Sequence, residues 1–445
     1  MRWCIWGRQL ARVFRRSQFK DVLAAAQTEA SVPRVTKASI PSRLLIRVKK
    51  TRLLWGEAAV GLALLLALIR VATERPPGHY RMYIEASKAL WSSGEAYGVP
   101  FLGNLFFFSP SCALFLYGPF ALLPEIPGVF LYTLLSGGLF IFGVRRVASH
   151  YVDRNGLQWF WLLVASQLYS GLAAHKPEVL SMGVLFLSAA WLIEGKHLPW
   201  AAFFLAMVGN FKLQPLPAVA LLALVVVLIR SRRGEWRKLA SWKFVAILGL
   251  SFLFWFGAPW LVRPFGYLAE QHGKWFSTLS GYSAASFDFY DNSFAFLHNN
   301  FGLQLTYGFA QNCSMFLAAV SLGLVVYWCK KRTRLELKPF HHAILLALVL
   351  GTTYTVLVSP LQQVSAYILL SPLMLALAVL RSKEPRRFTA LMLLSFVIWS
   401  LGYSDLVPEP AHEIIRHAVV RVPMTWLALV AVVLRLYQPR ALPNL

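Results

Sequence analysis

The stretch "FLGNLFFFSPSCALFLYGPFALLP", residues 101–124, is apolar enough to enter a membrane. Whether it crosses decides the topology of everything after it. The segment before it, "PPGHYRMYIEASKALWSSGEAYGVP" (76–100), is polar and aromatic and carries three Gly and three Pro. Before that comes the first long apolar run, near residues 53 to 71.

Composition sets the class. With 57% apolar and 14% charged residues over 445 positions, the chain carries too much apolar material for a soluble fold of this size. Segments of about 17 to 20 apolar residues recur along it, the length a helix needs for a hydrocarbon core of about 30 Å. In lipid every backbone polar group must be satisfied within its own segment, so these segments are helices. The expected fold is an all-α polytopic membrane protein of about 12 spans. They lie near residues 53 to 71, 129 to 145, 157 to 174, 178 to 194, 198 to 212, 213 to 230, 244 to 262, 310 to 329, 341 to 358, 365 to 381, 388 to 403 and 422 to 438.

Residues 105 to 123 would make a thirteenth span. A cytoplasmic N-terminus and a non-crossing 105 to 123 put most of the 44 Lys and Arg on the inside. Letting the segment cross moves "RSRRGEWRK", "CKKRTRLELK" and "RSKEPRR" outward, against the positive-inside rule. With Ser109, Pro110, Ser111 and Pro119 inside it, 105 to 123 reads as an interfacial or re-entrant helix. The whole of 72 to 128 is then one extracytoplasmic excursion, and both termini are cytoplasmic. Loops of that length in a compact bundle are usually functional.

The net charge of +25 belongs to the same pattern. Basic residues sit in short loops beside apolar spans, where they orient the chain, so no nucleic-acid partner is expected. Residues 1–52 form a basic cytoplasmic N-terminal segment without the apolar core of a signal peptide. It reads either as an interfacial helix, with Trp3, Trp6, Leu10 and Phe14 on one side, or as a basic tail. Residues 53–445 form the transmembrane domain. Cys4, Cys112, Cys313 and Cys329 lack metal-ligand spacing, and neither a metal site nor a disulfide framework is expected.

On this topology five clusters gather on the outer face: "GHYRMYIEA" (78–86), "HKPE" (175–178), "NFKLQP" (210–215), "FDFYDNS" (287–293) and "SPLQQVSAY" (359–367). Each has a plain alternative. Lys212 reads as a snorkelling cation or a phosphate ligand; Lys176 and Glu178 as a surface ion pair or part of a site. Asp291, Asn292 and Ser293 read as a helix cap or a substrate contact, and Gln362 and Gln363 as backbone partners or ligands. Cations at an interface beside aromatics suit a phosphate whose tail stays in the bilayer. Such a phosphate leaves without a general acid, and the remaining need is a base for an attacking hydroxyl.

From about residue 53 the chain resembles glycosyltransferase family 87, polyprenol-phosphate-mannose-dependent mannosyltransferases of the GT-C superfamily. The resemblance rests on "HYRMYIEASKALWSSGEAYG" followed by "FFFSPSCALFLYGPFALLP", in which Tyr80, Tyr83, Ala86, Gly94, Tyr97, Pro110 and Pro124 keep the family outline. "KLQP" (Lys212, Gln214, Pro215) and "DNS" (Asn292, Ser293) add to it. It implies a GT-C-like bundle whose loop after the first helix is helical and lies on the outer surface of an inner membrane. It also implies a polyprenyl-phosphate sugar donor carrying a hexose, mannose by family default, with a glycan or glycolipid as acceptor and membrane lipid as partner.

No Walker A, Gly-rich dinucleotide turn or Asp-x-Asp element occurs, and no cofactor is expected. The family's acidic residue, implied as catalytic base, aligns with His79. A late Ser-Pro element keeps Ser359 and Pro360 without the His that follows in many members. Expected catalytic residues are therefore His79, with Asp291 or Glu85 as substitutes. Expected substrate and lipid-phosphate ligands are Tyr80, Arg81, Tyr83, Lys176, Lys212, Gln214, Asn292 and Gln362. Two other classes stay open: an inactive binder of lipid-linked sugar, and a transporter, although no repeat between the halves supports the latter.

Overall fold

The first helix, α1 (Trp55–Thr73), shows why this chain belongs in a membrane. Val60, Ala63, Ala67 and Val71, spaced by three or four residues, are buried and form a narrow stripe toward the rest of the protein. Leu62, Leu65, Leu66 and Ile69 on the other side are all about half exposed. Water would not tolerate such a face, whereas acyl chains match it. Leu250, Leu253 and Phe254, and likewise Phe309, Met315 and Phe316, make similar outward faces.

The computed structural model describes residues 55–73, 78–101, 105–230, 235–286, 292–332, 339–358, 364–401 and 419–436. The basic segment 1–52, Asp291 and Gln362 lie outside these residues. The described residues form helices, with no strand among them. Six helices are long and apolar enough to cross a membrane: Trp55–Thr73, Glu125–Ala148, Pro177–Glu194, Ser241–Leu261, Tyr307–Lys330 and Phe340–Val358. Leu198–Phe211, Leu216–Ile229 and Tyr367–Arg381 are apolar but shorter. The described residues are thus all-helical and include several membrane-capable helices.

Six more helices position the site. Helix α2 (Gly78–Trp91) follows α1, and α3 (Cys112–Ala121) is the short apolar helix of the excursion. Helix α4 (Glu125–Ala148), α5 (Arg154–Ala173), α6 (Pro177–Glu194) and α7 (Leu198–Phe211) come next. Helix α4 packs on α6, and α1 on α5. The first crossing is backbone on backbone. A Cβ added at Gly143 would lie 2.2 Å from the Gly183 carbonyl oxygen, so only glycines let α4 and α6 approach this closely. Helix α6 is buried along nearly its whole length and forms the centre of this half of the bundle.

The apolar run 105 to 123 yields only a short helix. Its first six residues, Cys112–Tyr117, are π-helical and pass into the α-helical Gly118–Ala121. Pro119 has no amide hydrogen to continue an ordinary ladder and crowds the preceding turn, and the wide turn ends just before it. At about 1.5 Å per residue this helix covers about half of a hydrocarbon core.

Helix α2 lies against α3. Tyr80, Tyr83, Ser87 and Leu90 are buried on one side, while Glu85 and Lys88 are exposed on the other. The excursion has an aromatic core of its own, in which the Tyr83 ring stands 4.8 Å from that of Tyr117 and 5.1 Å from that of Phe108. A later helix, α8 (Phe265–Ser286), braces it from outside. There Tyr267 Oη donates to the Gly94 carbonyl at 2.6 Å, and Trp275 Nε1 donates to the Phe107 carbonyl at 2.9 Å.

Candidate functional site

The connection between α5 and α6 creates the site. Helix α5 ends in a Schellman-type turn, in which the His175 amide donates to the Leu172 carbonyl at 3.0 Å and the Lys176 amide to the Gly171 carbonyl at 3.4 Å. The left-handed position of such a turn usually holds glycine. Here it is His175, with φ of 53°. Lys176 then caps α6 and Pro177 opens it, since proline suits the first helical position. This tight turn carries His175, Lys176 and Glu178 into the protein, where all three are buried.

Lys212 arrives from the other side. It is the extended residue that ends α7, and the Ser109 amide and hydroxyl tie the excursion to the Phe211 carbonyl (3.4 Å) and the Asn210 side chain (3.3 Å) just before it. Its ammonium donates to Glu178 Oε1 and lies 5.1 Å from the centre of the Phe108 ring. The second carboxylate oxygen, Glu178 Oε2, is buried with no hydrogen-bond partner.

Helix α2 closes the arrangement. The Tyr80 ring meets the His175 ring edge-on at 5.7 Å, its hydroxyl is buried without a partner, and burial raises its pKa. His79, half-buried on the preceding residue, feels the charges of both Lys176 and Glu178. Burial chiefly, then Lys176, lowers its pKa below the ordinary imidazole value, while Glu178 opposes the shift. Burial likewise lowers Lys176 to about 8, with Lys212 adding to the effect and Glu178 opposing it. His175, whose ring nitrogens both lack partners, is lowered to about 4 by burial and then by the charge of Arg70.

Of the residues singled out by sequence, His79, Tyr80, Tyr83, Lys176 and Lys212 come together here. Glu178 proves to be a buried partner of Lys212 rather than half of a surface pair. Glu85 points elsewhere: it is exposed and accepts from Lys88 at 2.9 Å. Arg81 is held by Glu125 at the head of α4, with its Nη2 3.1 Å from Oε2. Gln214 stands two residues beyond Lys212, and its backbone carbonyl accepts from Thr355 Oγ1 at 2.6 Å. Asn292 is a helix cap, accepting from the Phe294 and Ala295 amides at 2.9 Å each, as one sequence reading allowed. His175 was passed over within "HKPE"; the available signal was Pro177, which suits the first position of a helix and so puts a turn just before it.

The model of glycosyltransferase family 87 matches residues 106–360, more than half of the chain. The chain belongs to glycosyltransferase family 87. No curated protein matches it. The family 87 match begins at Phe106, inside the aromatic core of the excursion, and takes in Lys176, Glu178 and Lys212 but not α2. Membership makes the chain a membrane-associated glycosyltransferase with a sugar donor and an acceptor. For such an enzyme the cluster offers two lysines for an anion, an imidazole for a proton and aromatic rings for a sugar face.

Proposed function

We propose that this family 87 protein transfers a hexose from a polyprenyl-phosphate donor to an extracytoplasmic glycan or glycolipid, using the cluster of His79, Lys176, Glu178 and Lys212. The observation that carries this reading is the placing of two lysines at the ends of apolar helices beside an aromatic wall. Lys212 is paired with Glu178, and Lys176 feels the charges of both. An anion whose tail remains in lipid fits that position.

The reaction follows from these groups. The acceptor oxygen attacks the anomeric carbon as the bond from that carbon to the phosphate oxygen breaks. The phosphate leaves with the electron pair and is stabilised by the lysines. His79, neutral because of its burial, takes the acceptor proton. Tyr80 and Tyr83 fix the helix that carries it.

The proposed topology has about twelve spans, a GT-C-like bundle, and α3 lying in or re-entering the outer interface. The short length of α3 and the distribution of basic loops support it. Both termini are then cytoplasmic and the site faces outward. The test is incubation of the purified full chain with radiolabelled polyprenyl-phosphate sugars and a membrane extract as acceptor. Label appearing in a product, with release of lipid phosphate, is expected. A donor that binds but is never consumed would mark the chain as a binder instead.

A further inference from the structure

Glu178 has one carboxylate oxygen on Lys212 and another that the protein leaves without a partner, although the residue is buried. Native proteins seldom leave a buried polar atom so, and the exceptions call for a reason. Two side chains one turn apart on α2, His79 and Tyr83, both feel its charge. Residues four apart share one side of a helix, so α2 presents this side to the head of α6. The neighbouring Tyr80 ring, packed on His175 at 5.7 Å, fixes that approach.

We propose that Glu178 is a positioning residue of the site, holding Lys212 with one oxygen and keeping the other for the imidazole of His79. The consequence for transfer rests on the reaction proposed above. When the acceptor oxygen bonds to the anomeric carbon and the phosphate departs with the electron pair, the proton passes to His79. The carboxylate of Glu178 then balances the imidazolium, as a buried acid does for histidine in other acid–base pairs. Lys212 stays on the leaving phosphate because the same carboxylate holds it. One buried acid thus serves both ends of the breaking and forming bonds.

Among the described residues, the charges that reach His79 are those of Lys176 and Glu178 at the head of α6. Lys212, at the end of α7, acts on both of these groups, and Tyr80 and Tyr83 are the titratable neighbours on α2 itself. Arg81 is taken up by Glu125.

The test is an NMR titration of the full chain in lipid nanodiscs with labelled histidine, the His79 signal being assigned by its loss in His79→Gln. Replacing Glu178 by Gln removes the charge and keeps the shape. The His79 midpoint is expected to fall by about 1 pH unit, the size typical of losing a close opposite charge. Glu178→Asp, which keeps the charge, should hold the midpoint near that of the unaltered protein. An unchanged midpoint in Glu178→Gln overturns the proposal. If that variant does not fold, Lys212→Gln decides by the same readout. Freeing the carboxylate and removing a cation should raise the midpoint, and no rise overturns the proposal. This readout needs no turnover. A shifted midpoint in a protein that transfers no sugar would refute the transfer reading and leave the pairing of Glu178 with His79 standing.

Discussion

Lys212 and Glu178, 34 residues apart in sequence, form an ion pair within the end of the helix bundle, where the Glu178 side chain is only 2% exposed. Such a pair is costly to break from one side, because the survivor is a buried charge without compensation. Lys212→Met is expected to lower stability by about 3–5 kcal/mol. The double variant Lys212→Met with Glu178→Gln should recover most of that loss. Thermal unfolding in nanodiscs checks both. Equal damage from the single and double variants would mean that the pair is not coupled.

The pH dependence of transfer should have two limbs. His79 must be neutral to accept a proton, and its pKa is lowered by burial and by Lys176. The rate therefore rises with pH through a midpoint below about 6.5, the ordinary imidazole value. Lys176 must be charged to hold phosphate, and burial lowers it to about 8. The rate falls as pH rises through about that value. In kcat/KM, which reports the free enzyme, Lys176→Arg should move the alkaline limb upward and leave the acid limb near its place.

His175 ties stability to pH. Its folded pKa is about 4 because it is buried and near Arg70, while unfolded histidine titrates near 6.5. A group with a depressed folded pKa gives stability that is present above the unfolded value and lost as pH falls toward the folded one. Between about pH 6.5 and 4 the protein should lose on the order of 3 kcal/mol from this residue. His175→Asn, which tolerates the left-handed backbone, should flatten the slope in a series of unfolding scans. A slope that stays the same would assign acid sensitivity to other groups.

Much of this was legible in the sequence, and the reasons are physical. Apolar segments of spanning length and the placement of basic loops give the helical membrane class. Tyr80 and Tyr83 stand out in a polar stretch between two apolar runs, and Lys212 as a cation between two others. The length of α3 was harder to read, since an apolar run does not reveal where Pro119 will interrupt a helix. Asn292 could be read equally as a cap or a ligand, and only its bonds to the Phe294 and Ala295 amides decide its present use. The burial of Glu178 was hidden because its partner comes from a different helix. No local pattern announces a contact across 34 residues.

The proposed topology gives the loop between α3 and α4 a definite side. Ile126, next to that loop in the first turn of α4, is about half exposed. Ile126→Cys should react with a membrane-impermeant maleimide added outside intact cells, above the background of the native cysteines. Reaction only after the cytoplasmic face is opened would place the excursion, and the site with it, on the inner side.

The central claim is that the buried charges between α2, α6 and α7 perform the transfer, and one comparison tests it most directly. The unaltered chain and the double variant Lys212→Met with Glu178→Gln, both shown to be folded, are given the same labelled polyprenyl-phosphate sugar and acceptor extract. The account expects steady product from the first and a loss of at least about 100-fold in the second, as removal of electrostatic stabilisation of a leaving group commonly brings. Product formed at equal rates by the two proteins would contradict it.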